Sequence, residues 1–405
     1  MLLPLFKANL RLQHVIGSFP LKKVEIDEFG EPKLVPSSKR SIRWQWYKIS
    51  LALGFTLVLW VQMFLAIKEE ELVTTLESTL CASAISVFII VKATQLKRND
   101  AIVALMNSLF VFEKRQWEEY GDVHKPLAKR EECTVYFCQG AAIASAPVFI
   151  SSGLLQRWLN PCTSALLAWK IMPECADKNS SQEWSSFSLG LLGGILLLSV
   201  WIITDLIGAA VFQVVQLSFS QVVCLINGVR NFHESLQIVL WNPRADAEKI
   251  MLQYRQLQIL IRLLNWIQQD LIIVAVLNLF LILIIISTYA LISMGWHISI
   301  PHFILFSSAL LDSIVADVFC FGAFAQVHSE SSSTLVYLKK KFLPKMELEK
   351  RSLLKRGELK LLKKFVLSMY PLKVRIGGVN FVEKFTPIAI LDFCVAQIVS
   401  LLLID

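Results

Sequence analysis

Apolar positions in this chain collect in seven long blocks: Ile49–Ile67, Leu72–Ala93, Val135–Leu155, Phe187–Val211, Leu271–Ser293, Phe303–Ala325 and Phe381–Ile404. A helix crosses the hydrocarbon core of a bilayer with about 20 predominantly apolar residues, and each block approaches or exceeds that length. The second is diluted at its start by Thr74, Thr75, Glu77, Ser78 and Thr79. The pattern predicts an all-α, polytopic membrane protein with seven transmembrane helices.

Between the blocks the periodicity changes character. Residues 1–48 are polar and interrupted by Pro20, Pro32 and Pro36, which predicts an arm and not a domain. Past the fourth block, Val229, Phe232, Leu236 and Val239 or Leu240 keep helical spacing. Ahead of the fifth, Leu257, Leu260, Ile261, Leu264 and Ile267 do the same. The stretch TLVYLKKKFLPKMELEKRSLLKRGELKLLKKFVLSMYPL is amphipathic, with a break expected at Pro344. Basic amphipathic helices can lie on a membrane surface. Three such stripes can also pack together, within or between chains, into a helical bundle beside the membrane. Pro371 and Gly377-Gly378 punctuate the entry to the last block. The expected organisation is an arm (1–48), six spans with helical extensions at about 212–270 (49–325), amphipathic helices (326–380) and a last transmembrane helix (381–405).

Composition agrees with the pattern: 55% of residues are hydrophobic and 18% charged, against about a quarter charged in an ordinary soluble domain. The formal net charge of +8 is unevenly placed. With seven spans, all of the 40 lysines and arginines except Lys68, Arg157, Lys170 and Lys178 fall on the side of the N-terminus. Cytoplasmic loops collect such residues, so the N-terminus is expected inside and the C-terminus outside. The basic balance is then a topology signal, and nucleic acid is not an expected partner. MLLPLF is too short for the apolar core of a cleavable signal, which leaves the first span as the insertion signal. Cys162 and Cys175 share the long outer loop, where a disulfide is one reading and two free thiols the other. The same loop holds Asn179-Ser180-Ser181, a glycosylation acceptor triplet.

Enzyme signatures are missing. His14, His124, His233, His297, His302 and His328 form no pairing with metal-ligand spacing, and neither GxSxG, a GxxxxGK[ST] phosphate loop nor CxxC occurs. No enzyme, cofactor or metal is expected. A G-protein-coupled receptor would need the opposite orientation. Ionisable residues inside a membrane are costly and mark function by default; here they are Asp205, Asp312, Asp317 and Asp392, with Lys92 at an inner span end. Asp205 and Asp317 are expected at a depth Lys92 can reach, as a structural salt bridge or as the relay of a secondary transporter. Gly190, Gly193 and Gly194 read as a close helix contact. Around one axis shared by several copies, Asp392 would repeat as a cation-attracting ring. Ala396, Val399 and Leu403 lie on its face, and Gln397 and Ser400 on the adjacent one.

The segment PLKVRIGGVNFVEKF, together with seven spans, an inner N-terminus and long inner helical extensions, resembles the odorant and gustatory receptor superfamily of insects and other arthropods. The gustatory branch closes on a TYhhhhQF-like motif. Here Thr386–Phe393 keeps its spacing with Pro for Tyr and Asp for Gln, and Ala396–Leu403 keeps only the apolar centre. The resemblance implies a ligand-gated, non-selective cation channel in the plasma membrane, a homotetramer or a heterotetramer with a co-receptor subunit. It implies a pore lined by the last helices, passing monovalent and also divalent cations, cytoplasmic helices that form the main contact between subunits, and membrane lipid as a further partner. It also implies an outer-half pocket for a small, mostly hydrophobic organic ligand, lined by Ser83, Phe149, Ser152, Phe187, Leu191, Phe303, Phe306 and Leu310.

Overall fold

The computed structural model describes residues 23–26, 32–35, 38–68, 72–120, short stretches between 190 and 206, and residues 220–241, 247–295, 298–344, 356–378 and 380–404. Helix α1 (Lys39–Lys68) starts ten residues before the apolar block. Ser38 caps it, its Oγ accepting from the Ser41 N–H at 3.3 Å. Helix α2 (Leu72–Lys97) absorbs its polar start: Thr79 donates to the Thr75 carbonyl at 2.7 Å, and Ser86 to Ala82 in the same way. The two helices share a core of Ile49, Ala52 and Leu59 with Ala82, Ile85 and Ile89.

Helix α3 (Asn99–Tyr120) follows, then α4 (Ser220–Trp241), α5 (Ala247–Gln268) and α6 (Ile272–Met294). Helix α7 runs from Ile300 to Phe342. At about 1.5 Å per residue it measures roughly 65 Å, more than twice the hydrocarbon thickness. Two π-helical turns interrupt it, Asp317–Phe321 and Leu338–Phe342. The helical ladder continues past Ala325, the expected inner limit of the sixth span, into the expected amphipathic region. The break expected at Pro344 is not seen among the described residues, since Leu343 and Pro344 are still helical, and α8 (Arg356–Ser368) ends three residues ahead of Pro371.

The amphipathic stripes close a core beside the spans. Val229, Phe232 and Leu236 of α4 and Leu257, Leu260 and Leu264 of α5 pack with Leu105 and Leu109 of α3 and Val327, Leu335 and Phe342 of α7. Gly228 lets α4 approach: a Cβ there would stand 2.6 Å from Leu257 Cδ2 and 3.0 Å from Phe112 Cζ. At Gly190, Gly193 and Gly194, by contrast, no described atom comes within 4 Å of such a Cβ. Among the described residues, Gly228 is the glycine with the tightest helix contact.

The arm holds more structure than its prolines suggest. Strands β1 (Lys23–Ile26) and β2 (Pro32–Val35) pair antiparallel. Leu34 is buried in the bundle core, and Asn107 of α3 pairs with its backbone like a neighbouring strand, accepting from its N–H at 2.8 Å and donating to its carbonyl at 3.2 Å. A second pair, β3 (Arg375–Ile376) and β4 (Asn380–Phe381), turns at Gly377, whose φ of 62° is left-handed. Phe381, the expected start of the last span, therefore belongs to a hairpin. Helix α9 spans Thr386–Leu402, with Pro387 in its first turn. The block Val135–Leu155 lies outside the described residues, and Phe187–Val211 is described in part. The chain is an all-α, polytopic membrane fold carrying two small hairpins.

Candidate functional site

Helix α9 has two unlike faces. Pro387, Ile390, Cys394 and Ile398 are buried against the rest of the chain. Asp392, Ala396, Val399 and Leu403, offset by 4, 7 and 11 residues, form the opposite exposed face, joined by Ile388 and Val395. At about 100° per residue, Ser400 flanks this face, while Gln397 turns about 140° from Asp392 and is exposed beside the packed side. The Ser400 hydroxyl donates to the Ala396 carbonyl at 2.8 Å. The structure thus gathers Asp392, Ala396, Val399, Ser400 and Leu403, and sets Gln397 apart.

The segment feeding α9 is held by polar side chains. From α5, the Tyr254 hydroxyl and the Gln258 amide both donate to the Tyr370 carbonyl, at 3.0 and 3.2 Å. Two turns on, the Asn265 amide donates to the Lys373 carbonyl at 2.7 Å and accepts from the Arg375 N–H at 2.9 Å. The Gly377 N–H donates to the Gln269 carbonyl at 2.8 Å. From α7, Ser331 Oγ accepts from the Leu372 N–H at 3.0 Å. Burial pushes the Tyr254 phenol pKa up, so this donor keeps its proton. Lys373 lies over the Phe381 ring at 3.7 Å.

Among the intramembrane charges, Asp205 is bridged by two lysines. Lys48 of α1 reaches Oδ1 at 2.9 Å and Lys92 of α2 contacts Oδ2, with all three side chains buried. Lys48 also lies over the Trp201 ring, 5.2 Å from its centre. The expected Lys92–Asp205 pair is present and Asp317 is not in it. Lys48 precedes the first apolar block by one residue and so carries no signal in the sequence; only the long helix α1 brings it inward.

Four expected pocket residues are described. Phe306 is fully buried with Leu80, Ala290 and Ala309 where α2, α6 and α7 meet; Ser83 is buried, Leu310 half-buried and Phe303 exposed. Phe149, Ser152, Phe187, Leu191, Cys162, Cys175 and Asn179 lie outside the described residues. One turn beyond Phe306, a polar chain had no signature in the sequence. Ser299 Oγ lies 2.6 Å from His302 Nδ1, and His302 Nε2 lies 3.4 Å from Glu77 Oε2, joining the N-terminal ends of α2 and α7.

These features define a class: a helical membrane protein whose extended helices bundle at one end and clamp the entry of a last, half-exposed helix. Among solved structures the chain is similar to the insect olfactory receptor OR5 from Machilis hrabei, at 11% identity and a TM-score of 0.66 over 99% of this chain and 98% of that one. The same receptor in complex with eugenol matches at 10% identity and a TM-score of 0.67 over the whole of both chains. The likeness is one of fold. No family model and no curated protein matches the sequence.

Proposed function

We propose that this chain is a subunit of a chemosensory, ligand-gated, non-selective cation channel in the plasma membrane, with no enzymatic activity. One observation carries the reading: the face of α9 that the chain leaves uncovered bears Asp392 amid apolar side chains. A carboxylate facing lipid is expensive, whereas a ring of carboxylates around a shared aqueous path attracts cations. Four copies about one axis would turn the apolar residues Val399 and Leu403 into a constriction and Asp392 into the ring. The fold shared with an olfactory receptor supports the same reading. The ligand is a small, mostly hydrophobic molecule taken up in the outer half near Ser83, Phe303, Phe306 and Leu310, and eugenol, bound by one structural neighbour, is a sensible first compound to screen. A transporter relay through Asp205, Asp312 and Asp317 is disfavoured, because Asp205 is engaged by two lysines.

The test is electrophysiology on the chain expressed alone and with a co-receptor subunit. Asp392→Asn is expected to change unitary conductance or relative cation permeability by about twofold or more, since one charge per subunit is removed from the path. Ligand-evoked currents indistinguishable from wild type, with uptake abolished by Asp312→Asn, would overturn the channel reading.

A further inference from the structure

Asp317 is fully buried, and among the described residues neither of its carboxylate oxygens has a hydrogen-bond partner. It opens the π-helical turn Asp317–Phe321 of α7, which packs against the buried side of α9. Such turns inside long helices frequently mark functional sites. The surroundings are apolar: Phe321 meets the rings of Phe280 and Phe324 edge-on, and Ile390 and Cys394 of α9 belong to the same core. An ionised carboxylate in that setting, unpaired, costs many times the stability of a typical contact. Its charge has to be cancelled in place.

We propose that Asp317 is a binding site for one monovalent cation, a proton or a sodium ion, in the seam between α7 and α9. Among the described residues, the neighbouring charged and titratable groups do not supply the missing charge. On α9, Cys394 is buried toward the seam and Asp392 is exposed on the far side. On α6, Tyr289 is the one titratable side chain, and it sits near the opposite end from the Phe280 contact. On α7 itself Asp312 is another acid, Cys320 is uncharged as a thiol, and His328 lies three turns further along. A divalent ion fits poorly, because a single carboxylate would leave one of its two charges uncancelled in apolar surroundings and no group of three His, Cys, Asp or Glu side chains is gathered among the described residues. One carboxylate matches one positive charge. Losing the cation leaves a bare charge between α7 and α9, so occupancy favours the packed arrangement described here.

The site requires that α7 lies in a membrane and does not require that the chain conducts. Its test therefore reads stability, using purified full-length protein in detergent. Thermal unfolding is followed from pH 6 to 9 in sodium chloride or in N-methyl-D-glucamine chloride of equal ionic strength, for wild type and Asp317→Asn. With a proton as occupant, the wild-type midpoint falls as pH rises in the sodium-free buffer. With sodium, it rises with sodium concentration at fixed pH. Either dependence is expected at about 2 °C per tenfold change in free cation and absent in Asp317→Asn, whose amide is neutral. Equal responses of the two proteins in both arms would overturn the site. Should Asp317→Asn fail to fold, Asp317→Glu replaces it, with sodium-dependent stability and the infrared carbonyl band of a protonated acid as readouts. A wild type with neither sodium dependence nor a band shifted by Asp317→Glu would overturn the site as well.

Discussion

At Gly228 a hydrogen stands where any other residue would put a carbon 2.6 Å from Leu257 Cδ2. Leu257 is fully buried and Phe112 nearly so, so neither side chain can retreat without disturbing the core. Overpacking of this kind costs about 1–3 kcal/mol. Gly228→Ala is expected to lower the unfolding midpoint in detergent by several degrees, and Gly228→Val by more, while Gly322→Ala, on the described helix α7 with no described atom within 4 Å of the added carbon, leaves it unchanged. The contrast also marks what could be read in advance. Three glycines clustered in an apolar block look like a contact motif, but a glycine matters through what faces it, and Leu257 lies on another helix. Lys92 and Asp205 were legible as a pair because both are charges stranded at apolar block edges. Asp317 stranded in the same way was legible as unusual, but its isolation depends on the seam it enters.

Among the elements, the connection into α9 shows the limits of periodicity. Apolar spacing placed α4, α5 and the inner part of α7 together, and Pro371 and Gly377 announced a break, since both restrict or free the backbone in ways independent of tertiary contacts. The hairpin between them was hidden, because two-residue strands carry no pattern. Its backbone groups are instead satisfied by Tyr254, Gln258 and Asn265, which share one face of α5 at spacings of 4 and 7 residues. Asn265→Ala removes an acceptor from the Arg375 N–H and a donor from the Lys373 carbonyl, two partly buried groups at about 0.5–1.5 kcal/mol each. We expect the variant to fold, with faster amide exchange confined to residues 373–382 and weaker coupling of ligand to current. Asn265→Gln, which keeps the amide on a longer arm, should recover part of the protection. Unchanged exchange in that window would show that the ladder does not hold the segment.

For the molecule as a whole, two of the apolar surfaces left exposed on the described helices bear on assembly: the Asp392 face of α9 and a stripe on α5. Leu252 and Ile259 stand seven residues apart, both more than half exposed, on the side of α5 turned about 120° from the Tyr254–Asn265 ladder. They precede the apolar helix α6 by about four to six turns, too far along the chain for lipid to cover both. Seven-residue spacing is the seam of a helix packed on another helix, and the surface suits a second copy. One helix would then touch a neighbouring subunit with one face and hold the entry to its own last helix with another. The particle in mild detergent, corrected for bound detergent, is expected near four times 45.9 kDa. Leu252→Lys with Ile259→Glu should reduce it to the mass of one chain and abolish ligand-evoked current, because charge at a buried seam is costly on every copy. Asp392→Asn should leave the mass unaltered and change permeation alone. A double variant that keeps the wild-type mass would remove α5 from the contact. A wild type of one-chain mass, even with co-receptor subunits supplied, would remove the shared axis that gives Asp392 its role.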